Sequence, residues 1–202
     1  MRATAALGVL CLLAGAALAA PEGPPYYDRK RGLEAQEDAA RAAAESARTL
    51  ADGAALVALL QDDSAILRDR VFGVLAARED EAALKALLPH LGDREEFVCA
   101  AIAELIGQRR WAPGREALEK VGLAGGELTA LESIWALGRL GEAASADALE
   151  KAWKRRREHR VKGDALIALA ALAPEASRAL VVGALADDAP PVRIAALVAL
   201  RT

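Results

Sequence analysis

The chain has 202 residues, of which 51 are alanine and 31 leucine, and only seven are aromatic. Alanine and leucine are the strongest helix formers, whereas strands draw on the β-branched and aromatic side chains that are scarce here, so the composition argues for packed helices and against a sheet-based fold. With 27% charged residues and ample leucine the chain can bury a core, and its net charge of −3 does not pull it onto nucleic acid.

The N-terminus carries one basic residue, Arg2, then the apolar run Leu7 to Leu18, then Ala17-Leu18-Ala19 in the small-x-small form that export proteases accept. The run is shorter than the roughly 20 residues a bilayer-spanning helix needs. Residues 1–19 therefore read as a secretory signal peptide cut near Ala19, which predicts a periplasmic or extracellular protein with no stable transmembrane segment. Leu10 before Cys11 does not suit a lipoprotein site. Cleavage leaves 25 basic against 29 acidic residues, a net charge of −4, and a single cysteine, Cys99, so no intramolecular disulfide forms. Residues 20–33 hold Pro21, Pro24, Pro25, Gly23 and Gly32 with no apolar period, and read as a linker. Tyr26 and Tyr27 either tuck against the first helix or serve recognition.

Beyond the linker the chain repeats itself at about 31 residues. Starting from Leu67, Phe97, Thr129, Val161 and Val192, the position four residues on holds Val71, Ala101, Ser133, Ala165 and Ala196. The position five on holds Phe72, Ile102, Ile134, Leu166 and Leu197, and the position eight on holds Leu75, Leu105, Leu137, Leu169 and Leu200. Offsets of 0, 4, 5 and 8 fall on one face of a helix, so these columns predict the buried stripe of a first helix in each unit. A second helix follows each, anchored on Leu84, Leu118, Leu149 and Leu180, with Leu87, Leu88, Val121 and Trp153 behind. Prolines and glycines mark the joints: Pro89, Gly92, Pro113, Gly114, Gly125, Gly126, Gly141, Pro174, Pro190 and Pro191.

A helix pair cannot bury its apolar faces alone, but stacked pairs share a core, so the predicted fold is all-α, an α-solenoid of antiparallel helix pairs over residues 34–202. Residues 34–61 form an atypical capping unit, with Gln36, Ala40, Arg41 and Ala44 in the four columns. Repeats begin near residues 62, 92, 124 and 156, and a final half repeat spans 187–202. That last unit has a first helix and no second one, so the helix either caps the stack or meets another subunit.

The segments Asp-Asp-Ser-Ala-Ile-Leu-Arg-Asp-Arg-Val-Phe-Gly-Val-Leu (62–75) and Asp-Asp-Ala-Pro-Pro-Val-Arg-Ile-Ala-Ala-Leu-Val-Ala-Leu (187–200) resemble the HEAT repeat in the short form of the phycobilisome-lyase type. Trp135-Ala-Leu-Gly-Arg-Leu-Gly141 is similar to the Ala-Leu-Gly-x-Leu-Gly end of that family's first helix. The resemblance covers about residues 34–202 and implies a partner-facing surface lined by the second helices. It also implies polar ties between neighbouring units through an acidic residue before the first helix and an arginine inside it. Asp62 with Arg68 and Asp187 with Arg193 match, while Gly92 with Val98, Ala124 with Ala130, and Arg156 with Lys162 depart. Tetratricopeptide and ankyrin signatures do not recur.

Candidate chemistry is sparse. His90 and His159 stand far apart with one cysteine, so no metal site follows, and no phosphate loop, nucleophile elbow or catalytic carboxylate pair is present. No cofactor and no catalytic residue is expected. His90 reads as a cap near the last carbonyls of a second helix, Cys99 as a buried thiol, and Glu95-Glu96 and Asp187-Asp188 as acidic complements to helix N-termini. The expected function is an exported, non-enzymatic scaffold that binds a protein partner through Lys85, Glu116, Glu119, Lys151 and Trp153. The stretch 151–162 packs seven Lys or Arg into an acidic chain. Lys154, Arg155, Arg156, Arg157, Arg160 and Lys162 are thus either a solvated helix end or a patch for an anionic lipid head group or polyanion. The phycobilisome-lyase kinship keeps a lyase-type enzyme subunit as a further alternative.

Overall fold

The computed structural model describes residues 25–201, with side chains from residue 32. The expected signal peptide, residues 1–19, lies outside the described residues, as do the first residues of the expected linker. Where the linker reading runs on to residue 33, the chain is already helical: α1 spans Pro25–Ala47. Proline suits a first turn, whose N–H has no intrahelical partner, and between Pro25 and Leu33 only Gly32 disfavours a helix.

Ten further helices follow. They are α2 (Gly53–Leu60), α3 (Ala65–Ala77), α4 (Ala82–Leu87), α5 (Glu96–Gln108), α6 (Arg115–Lys120), α7 (Glu127–Leu140), α8 (Ala146–Arg155), α9 (His159–Leu172), α10 (Pro174–Ala184) and α11 (Pro190–Ala199). No strand occurs among the described residues, so the fold is all-α. Local signals set the boundaries. Asp52 Oδ1 accepts the Ala55 N–H at 2.8 Å and Ser64 Oγ the Leu67 N–H at 3.4 Å, capping α2 and α3. Gly141, at φ 73°, ends α7 in the left-handed conformation that a side chain resists. Pro174 and Pro190 open α10 and α11.

Odd-numbered helices pack on one another in chain order, α1 on α3, α3 on α5, α5 on α7, α7 on α9 and α9 on α11, while the even-numbered ones lie beside them. Two glycines permit close approaches between odd-numbered helices. A Cβ on Gly107 of α5 would stand 2.7 Å from Ala136 Cα of α7, and one on Gly163 of α9 would stand 2.9 Å from Ala195 Cβ of α11. One apolar core runs from Ala40 to Leu169, and a second, around Leu166, Val181, Val192 and Ala196, continues it.

The buried columns recur as expected, with one correction of register. Phe97 is 57% exposed, and Val98 takes its place in the core. The equivalent positions are therefore Leu67, Val98, Thr129, Val161 and Val192, at intervals of 31, 31, 32 and 31 residues. Four residues on, Val71, Ile102, Ser133, Ala165 and Ala196 are all fully buried. Eight on, Leu75, Ile106, Leu137 and Leu169 are buried, whereas Leu200 is exposed. Leu197 leaves its expected column in the same way, because among the described residues no helix covers that side of α11. The Ser133 hydroxyl, buried among apolar residues, donates to the Thr129 carbonyl at 2.7 Å and so carries no unmet donor. In α1 the buried stripe is Ala40, Ala43 and Ala47, with Gln36 and Arg41 exposed.

Candidate interaction surfaces

Polar side chains tie each helix pair to its neighbours, and they use mainly backbone carbonyls as partners. Arg78, after α3, donates through Nη1 to the Ala47 and Leu50 carbonyls between α1 and α2, while its Nε and Nη2 grip the Asp80 carboxylate. Asp80 is held at about 2 by that guanidinium, well below the usual carboxylate range. Arg109, 31 residues later and after α5, repeats the reach by donating to the Asp80 carbonyl at 2.9 Å. After α8, Arg156 donates to the Leu123 and Gly125 carbonyls before α7 and pairs with Glu158. Glu96 caps a helix other than its own: Oε1 accepts the Leu128 N–H of α7 at 2.7 Å. Glu96 also stands in the first turn of its own helix, α5, as expected, so it serves two helix starts. Sequence inspection missed Arg78, Arg109 and Arg115, although the first two stand one repeat apart.

Arg68 and Arg193 differ from the ladder that the resemblance implies. Arg68 donates to the Asp62 and Asp63 carbonyls and Arg193 to the Asp187 and Asp188 carbonyls, all within the same unit. The Asp62 and Asp187 carboxylates instead accept the Ser64 and Ala189 N–H groups. Lys162, 3.7 Å from the Asp187 carboxylate, crosses between units, as Arg156 does from the other column.

The expected partner face is uneven. Lys85 and Glu116 are exposed on α4 and α6, each engaged along its own helix, Lys85 with Glu81 and Glu116 with Lys120. Lys151 is exposed on α8. Trp153 is half-buried against the core, with the Lys162 ammonium 4.7 Å from its ring centroid. Glu119 is turned inward. Its side chain is 15% exposed and accepts from Arg115 and from the buried Ser145, joining α6 to the turn before α8.

The basic cluster does not stay together. The chain leaves the helix between Arg155 and His159, so the cluster divides between α8 and α9. Lys154 pairs with Glu150, Arg156 is spent on carbonyls and Glu158, and Lys162 lies between Asp187 and Trp153. Arg155, Arg157 and Arg160 remain, and Arg160 acts on Glu132 and Asp164, whose carboxyls burial pushes up.

Cys99 is buried, its thiol donating to the Asp93 carbonyl at 3.2 Å, and burial raises its pKa. His90 stands in the last turn of the 3-10 segment Leu88–Gly92, its Nδ1 2.8 Å from Asp93 Oδ2. Among the described residues no group of three His, Cys, Asp or Glu side chains is placed to hold a metal, and no helix is long and apolar enough to cross a membrane.

No family model matches the chain, and no curated protein matches it. Among solved structures it is similar to a crystallised engineered protein at 21% identity, covering 83% of this chain and 90% of that one, with a TM-score of 0.44.

Proposed function

We propose that this chain is an exported, non-enzymatic scaffold of HEAT-like repeats, an α-solenoid of antiparallel helix pairs that binds another protein along the even-numbered helices. The observation that carries the reading is the recurrence of the same buried columns at steps of 31 or 32 residues while the exposed rows of α4, α6 and α8 vary in charge. Stacked units of that kind offer a long surface whose affinity comes from area and shape rather than from a reactive group. Lys85, Glu116 and Lys151 are the exposed residues of that surface, and Glu119 belongs to its support. Export rests on the N-terminal pattern of Arg2, the apolar run and Ala17-Leu18-Ala19.

Two measurements test this. Cell fractionation should find the chain outside the cytoplasm and shortened near Ala19; a full-length cytoplasmic chain overturns the export reading. The tagged protein should capture from its native envelope fraction a partner that the Lys85→Glu and Lys151→Glu variants capture poorly, with helical circular dichroism unchanged. Equal capture by wild type and both variants removes this face. The rival anionic-ligand reading has less support, since half of its six residues are engaged within the fold, and it requires binding that collapses with salt.

A further inference from the structure

An open cleft of about 610 Å³ lies where the chain leaving α1 meets α3, within the size range of small-molecule sites. α3 lines it with Gly73, Val74 and Ala77, and a Cβ on Gly73 would meet nothing within 4 Å. Gly73 stands six residues after the first anchor of its unit, and the same position holds Glu104, Trp135 and Ile167 in the units that follow. Trp135 shows what a side chain does there. A Cβ on Gly107 would lie 2.6 Å from its Cζ3, so the indole reaches from α7 onto α5 and fills the seam between two odd-numbered helices. In the seam between α1 and α3 glycine leaves that place open, and a flat apolar group from outside fits where the chain supplies none of its own.

The rim is cationic. Arg48 and Arg70 line the cleft together with Arg78, Glu79 and Asp80. Arg78 and Asp80 neutralise one another, and Arg78 spends its Nη1 on the Ala47 and Leu50 carbonyls, so that pair offers no net charge. Arg70 is exposed and has no partner among the described residues. Arg48 gives only its Nε, to Glu45 in an exposed pair, and its two Nη nitrogens donate to nothing among the described residues. A guanidinium with free N–H groups in one plane matches the two oxygens of a carboxylate. Glu79 and Asp80 at the same rim disfavour a doubly charged phosphate, so the anion selected is a single carboxylate.

We propose that this cleft binds an aromatic carboxylate, its ring on Gly73, Val74 and Ala77 and its carboxylate at Arg48 and Arg70. That group belongs either to a free small molecule or to the C-terminal aromatic residue of a chain. The cleft lies between odd-numbered helices, so the proposal goes beyond the scaffold reading and stands without it.

Titration of the isotope-labelled chain with indole-3-propionate, followed by its backbone amide resonances, tests it. The expected result is saturable shifts confined to residues around Arg48 and from Arg70 to Ala77, with a dissociation constant on the order of 1 mM for a ligand of this size. Indole-3-propionamide, which keeps the ring and lacks the charge, should bind about tenfold more weakly, and the acid should lose about as much on Arg70→Glu. Gly73→Trp, which supplies the missing indole, should abolish binding with the helical circular dichroism signal unchanged. The peptide Gly-Gly-Trp separates the two sources. Competition by its free acid and not by its amide assigns the group to a chain terminus, and no competition by either assigns it to a free molecule. Competition by the amide as well shows that no carboxylate is read and overturns the proposal. Shifts that do not saturate or that map elsewhere overturn it, as do equal binding of acid and propionamide and undiminished binding to a folded Gly73→Trp chain.

Discussion

Gly107 and Gly138 occupy the same repeat position 31 residues apart, and replacing each by alanine should change stability in opposite directions. A Cβ on Gly107 would lie 2.6 Å from Trp135 Cζ3, 2.7 Å from Ala136 Cα and 2.9 Å from Ala136 Cβ. The tryptophan ring has room to turn, but Ala136 Cα is backbone in the middle of α7, so α5 and α7 must move apart by several tenths of an ångström. Overpacking of that kind costs about 1–3 kcal/mol, and more where backbone has to yield. Alanine recovers up to about 1 kcal/mol of helix propensity, leaving a net loss of about 1–2 kcal/mol. A Cβ on Gly138 meets nothing within 4 Å, so there the propensity gain stands alone, at about 0.5–1 kcal/mol. For a chain of this size each kcal/mol moves the midpoint of thermal unfolding by about 2–4 °C. Gly107→Ala should therefore melt several degrees below wild type and Gly138→Ala a few degrees above it, by circular dichroism at 222 nm. If Gly107→Ala is as stable as Gly138→Ala, α5 and α7 do not approach as described and the packing argument fails.

Glu96→Ala removes the acceptor for the Leu128 N–H and should cost about 0.5–2 kcal/mol in urea unfolding, although Glu96 lies in a different helix from the one it caps. Glu96→Gln should retain part of that loss, and an unchanged midpoint for Glu96→Ala refutes the cross-unit cap. Arg78→Ala, which abandons the Ala47 and Leu50 carbonyls and the Asp80 carboxylate together, should lose about 2–4 kcal/mol, with hydrogen exchange rising in α1 and α2 first. Exchange that rises uniformly along the chain argues against a local tie. The Asp80 carboxyl is held at about 2 against 3.8, so its contribution is complete above about pH 4 and is lost as pH falls toward 2. Asp80→Asn should remove that part of the acid dependence and flatten the stability profile between those limits. Cys99, buried and with its pKa raised, should react with a disulfide reagent at neutral pH only on unfolding, and rapid labelling of the native chain refutes its burial.

The helices and their joints were legible because alanine and leucine recur at helical spacing while proline and glycine fall between the runs. Register within α5 was not. Its sequence, Glu-Phe-Val-Cys-Ala-Ala-Ile-Ala-Glu-Leu-Ile-Gly-Gln, offers seven consecutive apolar residues, so two adjacent stripes compete. Phe97 claims the column by size, but it sits in the first turn, where the Arg68 guanidinium covers its ring at 5.2 Å and the core is out of reach. Glu119 and Arg156 misled for a different reason. Charge in a sequence suggests solvent, yet the ties that hold these side chains inward are a serine one unit away and carbonyls 31 and 33 residues earlier. A carbonyl is common to every residue and leaves no signature in the sequence.

The same fact explains how neighbouring units can be tied without the aspartate and arginine column that the resemblance implies. A carboxylate partner has to be encoded at a fixed position in every unit, whereas a guanidinium carries five donors in one plane and finds acceptors wherever a loop turns its carbonyls outward. Arg78 and Arg109 use this along the joints that follow α3 and α5, and Arg156 uses it at the joint that follows α8. Segments about 30 residues apart are thereby held together by polar ties outside the buried columns, and the remaining exposed residues are free to vary in charge. That freedom is what allows α4, α6 and α8 to present Lys85, Glu116 and Lys151 without disturbing the packing beneath them.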